Sequence, residues 1–154
     1  MRIGYQDKEL TETVLKVHPD GKTWLHTGDI GFMNDKGLLF VLGREGIHIF
    51  PDKRVFPLGI ENKILTVKEI REAIIVSGKD KEHDGFEKPY LFVIKEPSCS
   101  IDQVKEQLNC VIESQLLPEE KPEKIFFIDK KPILKFKTDR KWLQRKYNLN
   151  FINS

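Results

Sequence analysis

Trp24 to Arg44 reads WLHTGDIGFMNDKGLLFVLGR, two apolar, strand-like runs folded about a polar turn. Ile30 to Met33 is the first run and Leu38 to Leu42 the second. Asn34-Asp35-Lys36-Gly37 joins them, with glycine where a tight hairpin needs left-handed backbone. In simple register such a hairpin brings Asp29 and Arg44 out at the same edge. A carboxylate and a guanidinium displayed there can bind a diol or a phosphate, or they can pair with each other. Taken alone, Asp29 is equally a turn carboxylate accepting backbone N–H groups. Arg44 is equally half of an exposed ion pair, worth about 0–1 kcal/mol.

The chain around this hairpin has 154 residues, enough for one domain or for one domain plus a piece of another. Its 39% hydrophobic and 32% charged residues describe an ordinary globular protein and exclude a disordered one. No apolar run approaches the roughly 20 residues that cross a bilayer, and the start lacks a charged-then-apolar signal pattern, so the expected location is cytoplasmic. Cys99 and Cys110 have no ligand pair near them, and the expectation is reduced, structural thiols with no metal site. The net charge is only +2, but Lys121 to Lys146 is markedly basic and points to an anionic partner. Without interleaved aromatics or a nucleic-acid module, a phosphate-bearing small molecule fits that patch better than nucleic acid.

Upstream, Lys8 to Leu15 reads as a short helix, followed by a turn at Pro19-Asp20-Gly21. Downstream, Glu45-Gly46 is a small-residue break suited to a hinge. Ile47 to Phe50 and Arg54 to Phe56 make a second hairpin about Pro51-Asp52, which Pro57-Leu58-Gly59 ends. Ile60 to Leu65 reads as a helix with Ile60, Ile64 and Leu65 on one face and Glu61 and Lys63 on the other. Ile70 to Ser77 and Pro89 to Lys95 contain buried-strand runs. Ser100 to Leu117 is the clearest helix, capped by Ser100 with Gln103 and stopped by Pro118. Lys124 to Asp129 is a further strand and Thr138 to Tyr147 a basic helix. This order predicts a small α+β sandwich from about residue 46 onward.

These pieces in this order resemble the C-terminal end of the adenylate-forming superfamily, which makes acyl-AMP from a carboxylic acid and ATP: acyl-CoA synthetases, adenylation domains of peptide synthetases and luciferases. Met1-Arg2-Ile3-Gly4-Tyr5 is similar to the family's GY segment. Trp24 to Gly31 is very close to its W-x-x-T-G-D-x-G pattern, and Gly43-Arg44 to the GR that closes its large domain. Lys137-Thr138-Asp139-Arg140-Lys141-Trp142-Leu143 is similar to the K-x-D-R-K-x-L around its catalytic lysine.

The resemblance implies an α+β lid with a small three-layer-like sheet and packed helices over residues 45–154. Residues 1–44 would be a hairpin strip from the end of the large AMP-binding domain. It implies that Asp29 accepts hydrogen bonds from the ribose hydroxyls of ATP, that Arg44 donates to the same nucleotide, and that Lys137 reaches the carboxylate and the α-phosphate. It further implies ATP with Mg2+, coenzyme A or a carrier protein as acyl acceptor, a lid hinge just after Arg44, and a preceding N-terminal domain holding the phosphate loop and acyl pocket. The chain is then expected to be a fragment, inactive alone. Two departures stand out. Phe136 replaces the usual glycine before Lys137, which makes Lys135 a competitor for the catalytic role, and the K-x-x-G beyond the hinge is absent. The run from Gly43-Arg44 to Glu61 is reminiscent of the β-lactone synthetase branch, which does not use coenzyme A. The alternative of a different class is a non-catalytic binding module that keeps the lid fold.

Overall fold

Residues 8–44, 47–50, 53–80, 83 and 85–149 are described by a computed structural model, which falls into two units, Met1–Glu45 and Gly46–Ser154. The GY segment, the Glu45-Gly46 hinge and the Pro51-Asp52 turn lie outside the described residues.

In the first unit, helix α1 (Lys8–Val14) runs straight into strand β1 (Leu15–Val17), which pairs antiparallel with β2 (Thr23–Leu25). Leu15 was expected to end the helix and instead opens the strand, opposite Leu25. Three-residue strands are too short for alternation to be read from sequence. The expected turn is present: the Gly21 N–H reaches His18 O at 2.9 Å with Gly21 at φ 73°. Strands β3 (Asp29–Met33) and β4 (Leu39–Arg44) form the central hairpin. Asn34 Oδ1 accepts from the N–H of both Lys36 and Leu38 at 3.0 Å, and Gly37 takes φ 75°. The ladder slips between Ile30 and Gly31, and a Cβ added at Gly31 would stand 2.5 Å from Phe40 O. Glycine is therefore required at that bulge.

The second unit begins with β5 (Ile47–Phe50) paired to β6 (Lys53–Val55), then helix α2 (Pro57–Ile64). Pro57-Leu58-Gly59 was expected to end the hairpin; it is instead the first turn of α2, because a helix leaves its first N–H groups unpaired and tolerates proline there. Ile60 and Ile64 are buried as their spacing predicts. Leu65 caps the helix and is exposed, whereas Glu61, assigned to the polar face, is buried.

Strands β7 (Ile70–Lys79) and β8 (Glu87–Lys95) pair antiparallel, with Ile75 opposite Leu91. Helix α3 (Ile101–Gln115) crosses over to β9 (Lys124–Phe127), which joins β8 in parallel, Tyr90 opposite Lys124. The Ser100–Gln103 capping box is formed, and Val104, Leu108 and Ile112 bury the helix's apolar stripe. Full burial of such side chains is worth about 1.5–3 kcal/mol each. Pro118–Glu120 makes a single 3-10 turn. A two-stranded hairpin, β10 (Ile133–Leu134) with β11 (Lys137–Thr138), precedes helix α4 (Arg140–Lys146). Thr138, expected in the helix, belongs to this hairpin.

The three-stranded sheet β7-β8-β9 has a core on each side. Alternate residues Ala73, Ile75, Leu91 and Val93 pack with Ile60, Ile64, Val104 and Leu108 of α2 and α3. The intervening Ile74, Val76 and Phe92 pack with Leu143 and Leu149, from α4 and just beyond it. Helices, sheet and helix thus form three layers, the α+β lid architecture expected from the sequence. Cys99 lies against the first core while Cys110 is exposed on α3, so only the former is structural.

Candidate functional site

Asp29 owes its place to the two residues before it. Thr27 Oγ1 accepts the Asp29 N–H at 3.1 Å, a side-chain turn that Gly28 completes with φ 75°. The chain then enters β3 with Asp29 opposite Arg44, a pairing that the register slip between Ile30 and Gly31 sets, since an unbroken ladder would put Gly43 there. Asp29 lines a shallow, open depression of about 550 Å³ together with Lys16, His18, Trp24 and His26. An ionised carboxylate only accepts hydrogen bonds, and its two oxygens suit adjacent hydroxyls. His26 sits just past β2, its Nε2 2.7 Å from His18 Nε2. Trp24 is half exposed, with its indole N–H donated to Asp20 Oδ2 at 3.1 Å.

Lys137 belongs to the second unit. It lies on β11 opposite Leu134, exposed, directly after a two-residue turn formed by Lys135 and Phe136. Both turn residues have positive φ, 47° and 68°, the requirement of the tightest hairpins, normally met by Asn-Gly. Neither residue type signals a turn, so this hairpin escaped the sequence reading. Lys135 occupies the turn and Lys137 the strand, which separates the two competing lysines by backbone setting. Phe136 is fully exposed. A left-handed non-glycine residue costs roughly 1–2 kcal/mol, partly offset by the chain entropy that glycine would lose. Phe136→Gly should therefore raise the stability of the second unit by about 0.5–1 kcal/mol, with thermal denaturation as the check. A lower melting temperature would show that the ring has contacts that hold the turn.

The rest of the Lys137–Leu143 motif is scaffold. Asp139 is the N-cap of α4, its Oδ1 accepting the Trp142 N–H at 2.9 Å, and its own N–H closes the hairpin base on Pro132 O at 2.9 Å. Leu143 is fully buried in the second core. Trp142 is exposed on α4 with Lys146 Nζ 4.5 Å from its ring centroid. Part of the basic tail is committed inside the unit: Lys121 pairs with Glu113, and Lys131 with Glu72 at 2.6 Å. Arg140 pairs with Glu61 at 2.7 Å, an arrangement that sequence reasoning missed entirely. Among the described residues no group of three or more His, Cys, Asp or Glu could hold a metal ion, and no helix is long and apolar enough to cross a membrane.

No protein-family model matches the chain. It is 31% identical to 2-succinylbenzoate–CoA ligase of Bacillus cereus over 110 residues, which is 71% of this chain and 22% of the relative. It is likewise 31% identical to 4-coumarate–CoA ligase 1 of Glycine max over 131 residues, 84% of this chain and 42% of that protein. The chain thus spans about a fifth to two fifths of the length of these relatives. Its fold superposes with a TM-score of 0.77 on the amide bond synthetase McbA of Marinactinospora thermotolerans at 24% identity, covering 94% of this chain and 28% of that one. With o-succinylbenzoate CoA synthetase of Bacillus subtilis, solved with its acyl-adenylate intermediate, the TM-score is 0.72 at 23% identity, covering 90% and 27%. By sequence and by fold, the chain belongs to the adenylate-forming ligases and corresponds to their C-terminal region.

Proposed function

We propose that the whole protein is an ATP-dependent, AMP-forming carboxylic acid ligase. Residues 1–44 are the last strip of its nucleotide-binding domain and residues 45–154 its lid. The observation that carries this reading is the β3–β4 register, which sets Asp29 against Arg44 at the open end of a rigid hairpin. A substrate carboxylate attacks the α-phosphorus of ATP, the bond to the β-phosphate oxygen breaks, and pyrophosphate leaves. Acyl-AMP remains and is passed to an acceptor. Asp29 accepts from the ribose hydroxyls, Arg44 donates to the nucleotide, and Lys137 meets the carboxylate and the α-phosphate. Mg2+ is carried on the ATP phosphates. Coenzyme A is the acceptor that the names of the related ligases favour, and a carrier protein is the alternative. Dependence on ATP goes with a cytoplasmic location.

The test is ATP–pyrophosphate exchange by the complete ligase with a panel of aromatic and aliphatic acids, beside the isolated chain, which should be inactive. Robust exchange by the isolated chain would overturn the lid assignment. Asp29→Ala should raise the KM for ATP about 10- to 100-fold, since hydrogen bonds to a charged group are worth about 1.5–3 kcal/mol. The melting temperature should stay nearly constant, because exposed substitutions usually shift stability by within about 0.5 kcal/mol. An unchanged KM would reduce Asp29 to a turn residue.

A further inference from the structure

Glu61 is the one charged residue buried as a whole among the described residues, and it sits at the outer edge of the sheet. In the order β7-β8-β9, β7 is an edge strand, so every second residue turns its backbone N–H and C=O away from the sheet. Side chains bind those groups where a further strand would. Glu61 Oε1 accepts the Ile75 N–H at 2.8 Å, and Arg140 Nε donates to Ile75 O at 3.1 Å. Arg140 Nη2 closes the set on Glu61 Oε1 at 2.7 Å. Two residues along β7, Gln144 Nε2 donates to Ser77 O at 2.9 Å and to Ser77 Oγ at 3.0 Å. Two residues further, the Lys79 N–H reaches Leu149 O at 2.8 Å.

The spacing explains why one helix can do this. Arg140 and Gln144 are four apart on α4, a rise of about 6 Å. Ile75 and Ser77 are two apart on β7, about 6.7 Å. The repeats nearly coincide, so α4 seats on the edge at one register; a slip by one residue would turn both side chains away. A buried carboxylate is costly to desolvate, and its ion pair returns little net stability. What the arrangement supplies is position: it ties the α2 layer to the α4 layer around the edge of the sheet.

We propose that Arg140, braced by Glu61 and aided by Gln144, is a positioning residue for Lys137. Lys137 is three residues upstream of Arg140. Between them, the Asp139 cap and its bond to Pro132 O join the β10–β11 hairpin rigidly to the first turn of α4. The register of α4 on β7 therefore sets where the Lys137 amine stands. This inference rests on the ligase reading for its functional meaning, but its structural half stands without it.

The decisive variant is Arg140→Lys, which keeps a cation facing Glu61 and removes the guanidinium bond to Ile75 O. In the chain itself, 15N relaxation should show Lys137 falling from rigid backbone, an order parameter of about 0.85, toward about 0.6, while Leu108 is unchanged. Gln144→Met, which leaves the ion pair intact, should loosen Lys137 less, and it serves if Arg140→Lys folds poorly. Unaltered relaxation at Lys137 in both variants would overturn the proposal. In the complete ligase, Arg140→Lys should lower kcat for acyl-adenylate formation about 10- to 100-fold with the KM for ATP unchanged, the scale expected of small misplacements of a reacting group. Thioester formation from supplied acyl-AMP should persist. On a Lys137→Ala background the same change should cost nothing more, whereas a full additive loss would refute positioning. Full activity of Lys137→Ala alone would instead overturn the assignment of Lys137 as the catalytic lysine, leaving the relaxation data to judge the brace.

Discussion

Lys137→Ala should slow acyl-adenylate formation about 10²- to 10³-fold while ATP affinity stays within about twofold. As the carboxylate and the α-phosphate close on each other, negative charge concentrates between them. A compact ammonium held there stabilises the transition state more than the separated reactants. Removing one such preorganised group commonly costs a factor of that size. The side chain leaves a strand and not a loop tip, its backbone paired opposite Leu134 and its hairpin closed at the base by Asp139. Lys135→Ala is the internal control. Lys135 sits in the left-handed turn, and its loss should change the rate by no more than about twofold. Pyrophosphate exchange in the intact ligase reads both variants. Equal loss from Lys135→Ala, with none from Lys137→Ala, would exchange their roles.

Phe92→Ala should destabilise the second unit by about 3–5 kcal/mol, the usual cost of emptying an aromatic site in a packed core. Phe92 lies on the central strand β8 with no exposed surface. Its ring stacks on Phe126 at 4.9 Å and 15°, and meets the edge of Tyr147 at 4.9 Å and 70°. Against a typical domain stability of about 5–15 kcal/mol, such a loss takes a large share. Urea unfolding followed by far-ultraviolet dichroism reads it. Phe92→Leu should cost less, since it keeps volume and loses mainly the ring geometry. A shift below about 1 kcal/mol for the alanine variant would mean that the layer containing α4 closes over the gap. Lys137 and Phe92 therefore probe the same helix from opposite ends: one reports what it delivers, the other what it rests on.

Features set by neighbouring residues were legible in the sequence. The Asn34–Gly37 turn, the Ser100–Gln103 capping box and the periodic stripe of α3 each carry their cause within a few positions. The Thr27-Gly28-Asp29 motif is of the same kind, since its turn chemistry is local. What stayed hidden depended on distant partners or on strain. Glu61 looks like a solvent-facing helix residue until Arg140 arrives 79 positions later. Pro57 reads as a breaker unless a helix is known to start there. The β10–β11 turn is built from Lys135 and Phe136, residues that no turn preference selects, so its conformation is imposed by the pairing around it. At the candidate site, accordingly, residue types and motif spacing were readable, while the brace behind Lys137 was not. The arginine inside the K-x-D-R-K-x-L stretch was its one visible trace.

Helix α4 also has a protective role that owes nothing to catalysis. A ten-residue strand with an open side is a template on which another chain can add a strand of its own, the first step toward sheet-to-sheet aggregation. Natural proteins blunt such edges with charge, bulges or cover. Here the cover is made by Glu61, Arg140, Gln144 and the backbone of Leu149, which occupy outward-facing groups at Ile75, Ser77 and Lys79. The residues that hold the lysine in place are thus the same ones that keep the sheet from recruiting strangers, and neither duty can be relaxed without the other.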